Sequence, residues 1–196
     1  MTNAERRSEK LRNAVLFFVK ADKTVGLTKL MKLLFYLDFR LYRETGESLT
    51  GVTYEAWHFG PVPADVWREL RLREDAGMNL KSILKIIPTK EDPRDEAVGI
   101  KLAVVPGAKF SDRYFTGREI KELKAVSEMF HNVPAYLVVE ASHKKNDPWD
   151  VTVKKYGEKA KAHIDYDLAL DGCDEERKAY IHEIRDDARL LDSILG

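Results

Sequence analysis

Three groups of residues in this chain have types and spacings that suit chemistry. Ser142-His143, with Asp150 downstream, supplies the members of a nucleophile, base and orienting-acid set. Residues adjacent in sequence seldom aim their side chains at each other, and no nucleophile elbow surrounds the serine, so a catalytic assignment finds little support. The second group is Lys29, Lys32, Tyr36, Arg40 and Arg43. At steps of three and four these stack along one face of a helix, which predicts an outward basic seam carrying one aromatic ring. The third is Asp38, which a helical wheel places between Leu27 and Met31 inside an apolar arc. A buried ionised carboxylate without partners costs several kcal/mol, so Asp38 is expected to meet an Arg, Lys, Trp or backbone N–H from elsewhere in the chain. That makes it a core cap tying two segments together, with a functional carboxylate as the alternative.

Other chemistry is poorly represented. His58, His131, His143, His163 and His182 form no short metal-binding pair, and the single cysteine, Cys173, has no adjacent base. The glycines build no phosphate-cradling loop at the required spacing. No metal, no cofactor and no catalytic set is assigned.

The elements that must position these groups follow from periodicity. Residues 3–21 read as a helix with Leu11, Ala14, Val15, Phe18 and Val19 on one face. A link at 22–26 follows, where Thr24 or Thr28 offers an oxygen to cap the next helix. That helix, 27–43, organises the chain. Leu30, Leu34, Leu37 and Leu41 form one stripe, widened by Met31, Phe35, Phe39 and Tyr42, so it must be covered on more than one side. Residues 49–59 read as extended or irregular, and Gly60-Pro61-Val62-Pro63 as a rigid turn opening a helix to about Glu74. The aromatic preface Trp57-His58-Phe59 also suits a pocket or an interaction surface.

Alternation in 98–106, with the apolar residues of 82–88, predicts a hairpin whose long, mobile tip contains Pro93. A helix opens at Thr116, a second follows Pro134, and a third short one begins near Trp149. Residues 174–195 form a long amphipathic helix with Ile181, Ile184, Ala188, Leu191 and Leu195 in register. The expected fold is mainly α (α+β): a compact helical domain around a central buried helix, with a small β-hairpin and the long C-terminal helix.

Size and charge bound the function. A chain of 196 residues supports one well-buried core, and 33 basic residues balance 33 acidic ones, which argues against a global attraction to nucleic acid or an anionic membrane. A single cysteine fits a reducing compartment. The beginning of the chain lacks a signal peptide's apolar run, and no stretch reads as a membrane span, so a cytoplasmic location is expected.

The run from Leu27 to Asp38, then Tyr54 to Trp57, Gly60-Pro61-Val62, Ser142-His143 and Pro148-Trp149, resembles the Panacea domain of SocA-like antitoxins over about residues 11 to 155. The resemblance implies a mainly helical antitoxin, paired with a toxin encoded beside it in bacteria or phages. By resemblance the motif positions are Lys29, Lys32, Tyr36, Asp38, Trp57, Gly60, Pro61, His143 and Trp149. Residues 1–160 are assigned to this domain and 161–196 to a helical extension, packed on the domain or at an interface with a second copy. The expected partner is a cognate toxin, bound directly. A proteolytic adaptor that also meets a protease, and a DNA-binding regulator using the basic seam, are the alternatives.

Overall fold

The computed structural model describes residues 1–89 and 99–195, with the side chains of 188, 189 and 191–195 excepted. The chain is mainly helical, with two small antiparallel sheets. Helix α1 (Asn3–Ala21) opens at a reciprocal cap, in which the Thr2 hydroxyl accepts from the Glu5 N–H and the Glu5 carboxylate accepts from the Thr2 N–H. Its predicted face, Leu11 to Val19, is buried. Helix α2 (Leu27–Thr45) is the centre of the molecule, with Leu30, Leu34 and Leu37 at 0% exposure. It ends where Gly46 takes a left-handed φ of 74°. Neither Thr24 nor Thr28 caps its start. Gly26 is the N-cap and has no side chain to offer, and the Thr24 hydroxyl is engaged with Asp22 and Lys29.

The segment read as extended or irregular is extended at Tyr54–Trp57, where it forms the first arm of a hairpin. Strand β1 (Tyr54–Trp57) turns through His58-Phe59 into β2 (Gly60–Pro63), with Trp57 opposite Gly60 and Tyr54 opposite Pro63. The Gly60-Pro61-Val62-Pro63 turn is therefore itself a strand. Two prolines are tolerated because β2 lies at the sheet edge, where a missing N–H breaks no ladder. On the other side of β1 lies β5 (His163–Ile164), and the sheet rests on α2. Helix α3 (Ala64–Trp67) continues as one wide helical turn through Leu72 and stops at Arg73, held at φ 61°, just short of the predicted end at Glu74. Within that turn Glu69, at 0% exposure, accepts from the Met78 and Leu80 N–H groups.

Strands β3 (Leu84–Pro88) and β4 (Ile100–Val104) form the predicted second hairpin. Its expected tip, with Pro93, and Val98 of the expected second strand lie outside the described residues. Helix α4 (Gly117–Met129) carries the same reciprocal cap at Thr116 and Glu119, and α5 (Ala135–Ala141) follows Pro134. Helix α6 (Pro148–Tyr156) has proline in its first turn. Helix α7 (Glu175–Leu195) packs its first half on α2 through Ile181; the register expected of Ala188, Leu191 and Leu195 concerns side chains outside the described set. A polar latch holds this helix. Asp167 accepts from the Tyr42 hydroxyl of α2 and from the Arg185 guanidinium of α7 at 3.0 Å. Asp167→Ala is expected to speed backbone amide exchange in 175–185 while α2 exchanges as before. Equal exchange in the two proteins would show that Ile181 alone holds α7.

Candidate functional site

The motif residues do not lie on one exposed seam. Lys29 is 0% and Lys32 1% exposed, so the predicted outward basic face is wrong at its two lysines. Helical spacing places side chains on a common face but does not say whether that face meets water. Here β2 and the α4–α5 turn cover it. Tyr36 is half-buried against the ring of Phe130, 4.8 Å between centroids. Arg40 reaches Glu122 of α4 at 2.7 Å, and only Arg43 projects freely into solvent.

Lys32 explains the covered edge of the first sheet. With no N–H on Pro61, the carbonyl of this edge residue accepts the Lys32 ammonium at 2.9 Å, filling a backbone acceptor that would otherwise be orphaned on burial. One acceptor is poor compensation for an ammonium removed from water, and burial pushes Lys32 down to about 7. Its folded value lies below its unfolded one, so the unfolded chain binds more protons above neutrality and folding strengthens as pH rises. Between pH 7 and 9 wild type is expected to gain about 2 kcal/mol from this group, a gain that Lys32→Met abolishes. Parallel pH slopes for both proteins in denaturant titrations would contradict the burial of a charged lysine.

The β1–β2 hairpin is seated on the α5–α6 turn. Gly60 has φ +93°, and a Cβ there would stand 2.6 Å from Ser142 Oγ, 3.0 Å from His143 Nε2 and 3.1 Å from Lys32 Cε. His143 stacks on Trp149 with ring centroids 4.0 Å apart, and Trp149 Nε1 donates to the Trp57 carbonyl at 2.9 Å. Lys32, Trp57, Gly60, Pro61, His143 and Trp149 thus converge on one clasp. Burial, then the nearby Lys32 charge, lowers the His143 pKa, with Glu158 and a backbone hydrogen bond to Phe59 acting the other way. Ser142 Oγ donates to the Val139 carbonyl at 2.7 Å, and Asp150 is bound to Lys154 and the Asn146 N–H. Ser142 and Asp150 are thus separately engaged, and His143 Nε2 is buried without a hydrogen-bond partner among the described residues.

The remaining motif positions make two further nodes. Lys29 donates to Asp22, Thr24 and the Val133 carbonyl at 2.7, 2.9 and 2.7 Å, joining the α1–α2 link to the α4–α5 turn. Burial raises the Asp22 carboxyl, but hydrogen bonds from Lys29, Thr24 and Asn132 outweigh it and hold the group well below the usual carboxylate range. Asp38, fully buried, accepts from the Thr50 N–H at 2.9 Å, from the Thr50 hydroxyl, and from the Tyr54 hydroxyl at 2.8 Å. It is a core cap as expected, with a backbone N–H among its donors. Its other partners are hydroxyls rather than Arg, Lys or Trp.

The clasp and the Asp38 node fall inside a segment that a family model matches, whereas Lys29, Asp22 and Thr24 stand just before it. The family model described as antitoxin SocA-like, Panacea domain, matches residues 30–150. The chain belongs to this SocA-like antitoxin family. The match is narrower than the 11–155 expected and leaves α1 outside. Among curated proteins and among solved structures none matches the chain.

Thr50, Tyr166 and Glu69 are site and core residues that sequence reasoning did not single out. Tyr166 reaches the Val52 carbonyl at 2.8 Å and stacks on Phe39 at 4.7 Å, although it lies beyond the matched segment. A hydroxylated residue opposite a buried carboxylate is visible only once the chain is folded. A concavity of about 390 Å³ between the end of α2, Arg118 and α7 has none of the clasp residues in its lining. Among the described residues no group of His, Cys, Asp or Glu could hold a metal ion, and no helix is long and apolar enough to cross a membrane.

Proposed function

We propose that this protein is the antitoxin of a two-gene module and neutralises its toxin by direct binding in the cytoplasm, without chemistry of its own. Residues 1–160 act as the antitoxin domain and 161–196 as an extension packed on it. The observation that carries this reading is the family membership over 30–150. The geometry supports it: the polar side chains of the motif are spent bracing the fold, whereas large apolar side chains such as Phe59 and Tyr156 stand exposed at 53% and 54%. A DNA-binding reading loses two of its four phosphate contacts, since Lys29 and Lys32 are occupied inside the molecule.

Co-expression with the product of the adjacent gene tests the proposal, scoring growth rescue and co-purification together. Rescue with a stable stoichiometric complex is the expected result. Rescue without a complex would replace blocking by the adaptor reading, and a toxin left fully active would end the antitoxin assignment.

A further inference from the structure

The chain carries no net charge, yet its charge is unevenly spread. Between residues 144 and 161 there are six lysines and three acids. Two of those acids are already matched, Asp150 by Lys154 and Glu158 by His58. Lys155, Lys159 and Lys161 are exposed and make no ion pair among the described residues. Lys161 is set apart by its backbone, a left-handed φ of 46° and ψ of 42° in a residue with a Cβ, and its ammonium lies 4.3 Å from the centre of the Trp57 ring.

Two largely exposed rings lie on the same segments, Phe59 edge-on to the neighbouring His58 at 4.6 Å between centroids and Tyr156 with the Lys155 ammonium 4.9 Å from its centre. Phe59, at the tip of the β1–β2 hairpin, is 53% exposed, and Tyr156, at the end of α6, is 54% exposed. The clasp fixes the first of them: Gly60 is packed on Ser142 and His143, Trp149 holds the Trp57 carbonyl, and His58 pairs with Glu158 beside it. The tip is therefore presented by a braced strand pair, which suits a pre-organised contact. Aromatic anchors within a charged rim have the composition of a protein interface.

We infer that the hairpin tip and the α6 end, with Phe59, Tyr156, Lys155, Lys159 and Lys161, form the docking surface for an acidic segment of the toxin carrying an apolar side chain. This rests on the direct-binding reading above. Charge complementarity selects an acidic occupant, and the two rings need apolar cover that a phosphate backbone lacks.

The test uses the full chain and two probes. A variant carrying Phe59→Ser, Lys155→Glu, Lys159→Glu and Lys161→Glu is compared with Tyr136→Ser/Leu137→Ser on α5, each checked by melting temperature. For the adjacent-gene product, the first variant is expected to lose affinity at least about tenfold while the α5 variant binds as wild type does. Wild-type binding should also weaken with added salt. Unchanged binding by the first variant, or loss confined to the α5 variant, overturns the assigned surface and leaves direct binding intact. Failure of wild type to bind at all counts against the function itself. The surface is then judged on the second probe, a synthetic Glu-rich peptide containing phenylalanine, followed by amide chemical shifts. Shifts centred on Phe59, Tyr156 and Lys161 support it. Absence of shifts, or tighter binding of a single-stranded oligonucleotide at these residues, overturns it.

Discussion

Replacing Asp38 by alanine is expected to cost about 3–5 kcal/mol of folding stability, the largest effect of any single change considered for this chain. The substitution leaves the Thr50 N–H and hydroxyl and the Tyr54 hydroxyl buried without their acceptor, and each such group costs about 1–3 kcal/mol. For a domain of this size that is a fall of roughly 6–20 °C in melting temperature. Asp38→Asn keeps the shape and one acceptor oxygen, so about half the loss is expected. The pH profile gives an independent check. Burial raises the Asp38 carboxyl to about 6 against the opposing hydrogen bonds of Thr50 and Tyr54. A folded value above the unfolded one means that the native state binds the proton more tightly. This contribution is whole below about pH 4 and is lost as pH rises through about 6, a change of about 3 kcal/mol. The stability gap between wild type and Asp38→Asn should shrink over that interval in urea titrations. A gap independent of pH, or an unchanged melting temperature for Asp38→Ala, would refute the buried carboxylate.

Gly60→Ala should be the second most damaging change, at about 2–4 kcal/mol. Its φ of +93° disfavours any Cβ, and the added methyl would stand 2.6 Å from Ser142 Oγ with His143 and Lys32 close on the other sides. Those neighbours cannot all retreat, since Ser142 is bonded to the Val139 carbonyl, His143 is stacked on Trp149, and Lys32 holds the Pro61 carbonyl. Gly77→Ala is the control. It shares a positive φ of +77° but has nothing within 4 Å of its Cβ position, so it carries only the backbone penalty of about 1 kcal/mol. Equal losses at Gly60 and Gly77, measured by chemical denaturation, would mean that the hairpin is not clamped on the α5–α6 turn. Near-ultraviolet circular dichroism should report the same event through Trp149, whose indole is bound to the hairpin.

Helices were the legible part of this chain. The expected limits of α1, 3 to 21, match the observed Asn3–Ala21, and α4, α5, α6 and α7 begin within a residue or so of the positions expected from Thr116, Pro134, Trp149 and Asp174. Their signals are local, because apolar repeats, capping residues and prolines act within a turn or two. The β1–β2 hairpin was less legible. Two prolines in four residues argue against a strand unless it lies at an edge, and edge position is a property of the sheet. Strand β5 was invisible for a similar reason: two residues have no periodicity, and His163-Ile164 is a strand only because Glu55 and Tyr54 face it.

Residue types and spacing by themselves determined that α2 is the buried centre, that Asp38 lies in its apolar arc and must be capped, and that the family motif is present in order. Tertiary structure alone decided what the basic residues do. Lys29 and Lys32 share a helix face with Arg40 and Arg43, and nothing in their spacing separates a solvated ammonium from a buried one. The difference lies in acceptors brought from afar, the Pro61 carbonyl for Lys32 and the Val133 carbonyl, 104 residues along the chain, for Lys29. Removing an ammonium from water is tolerable only when such acceptors stand at hydrogen-bonding distance, and that distance is set by how β2 and the α4–α5 turn close over α2.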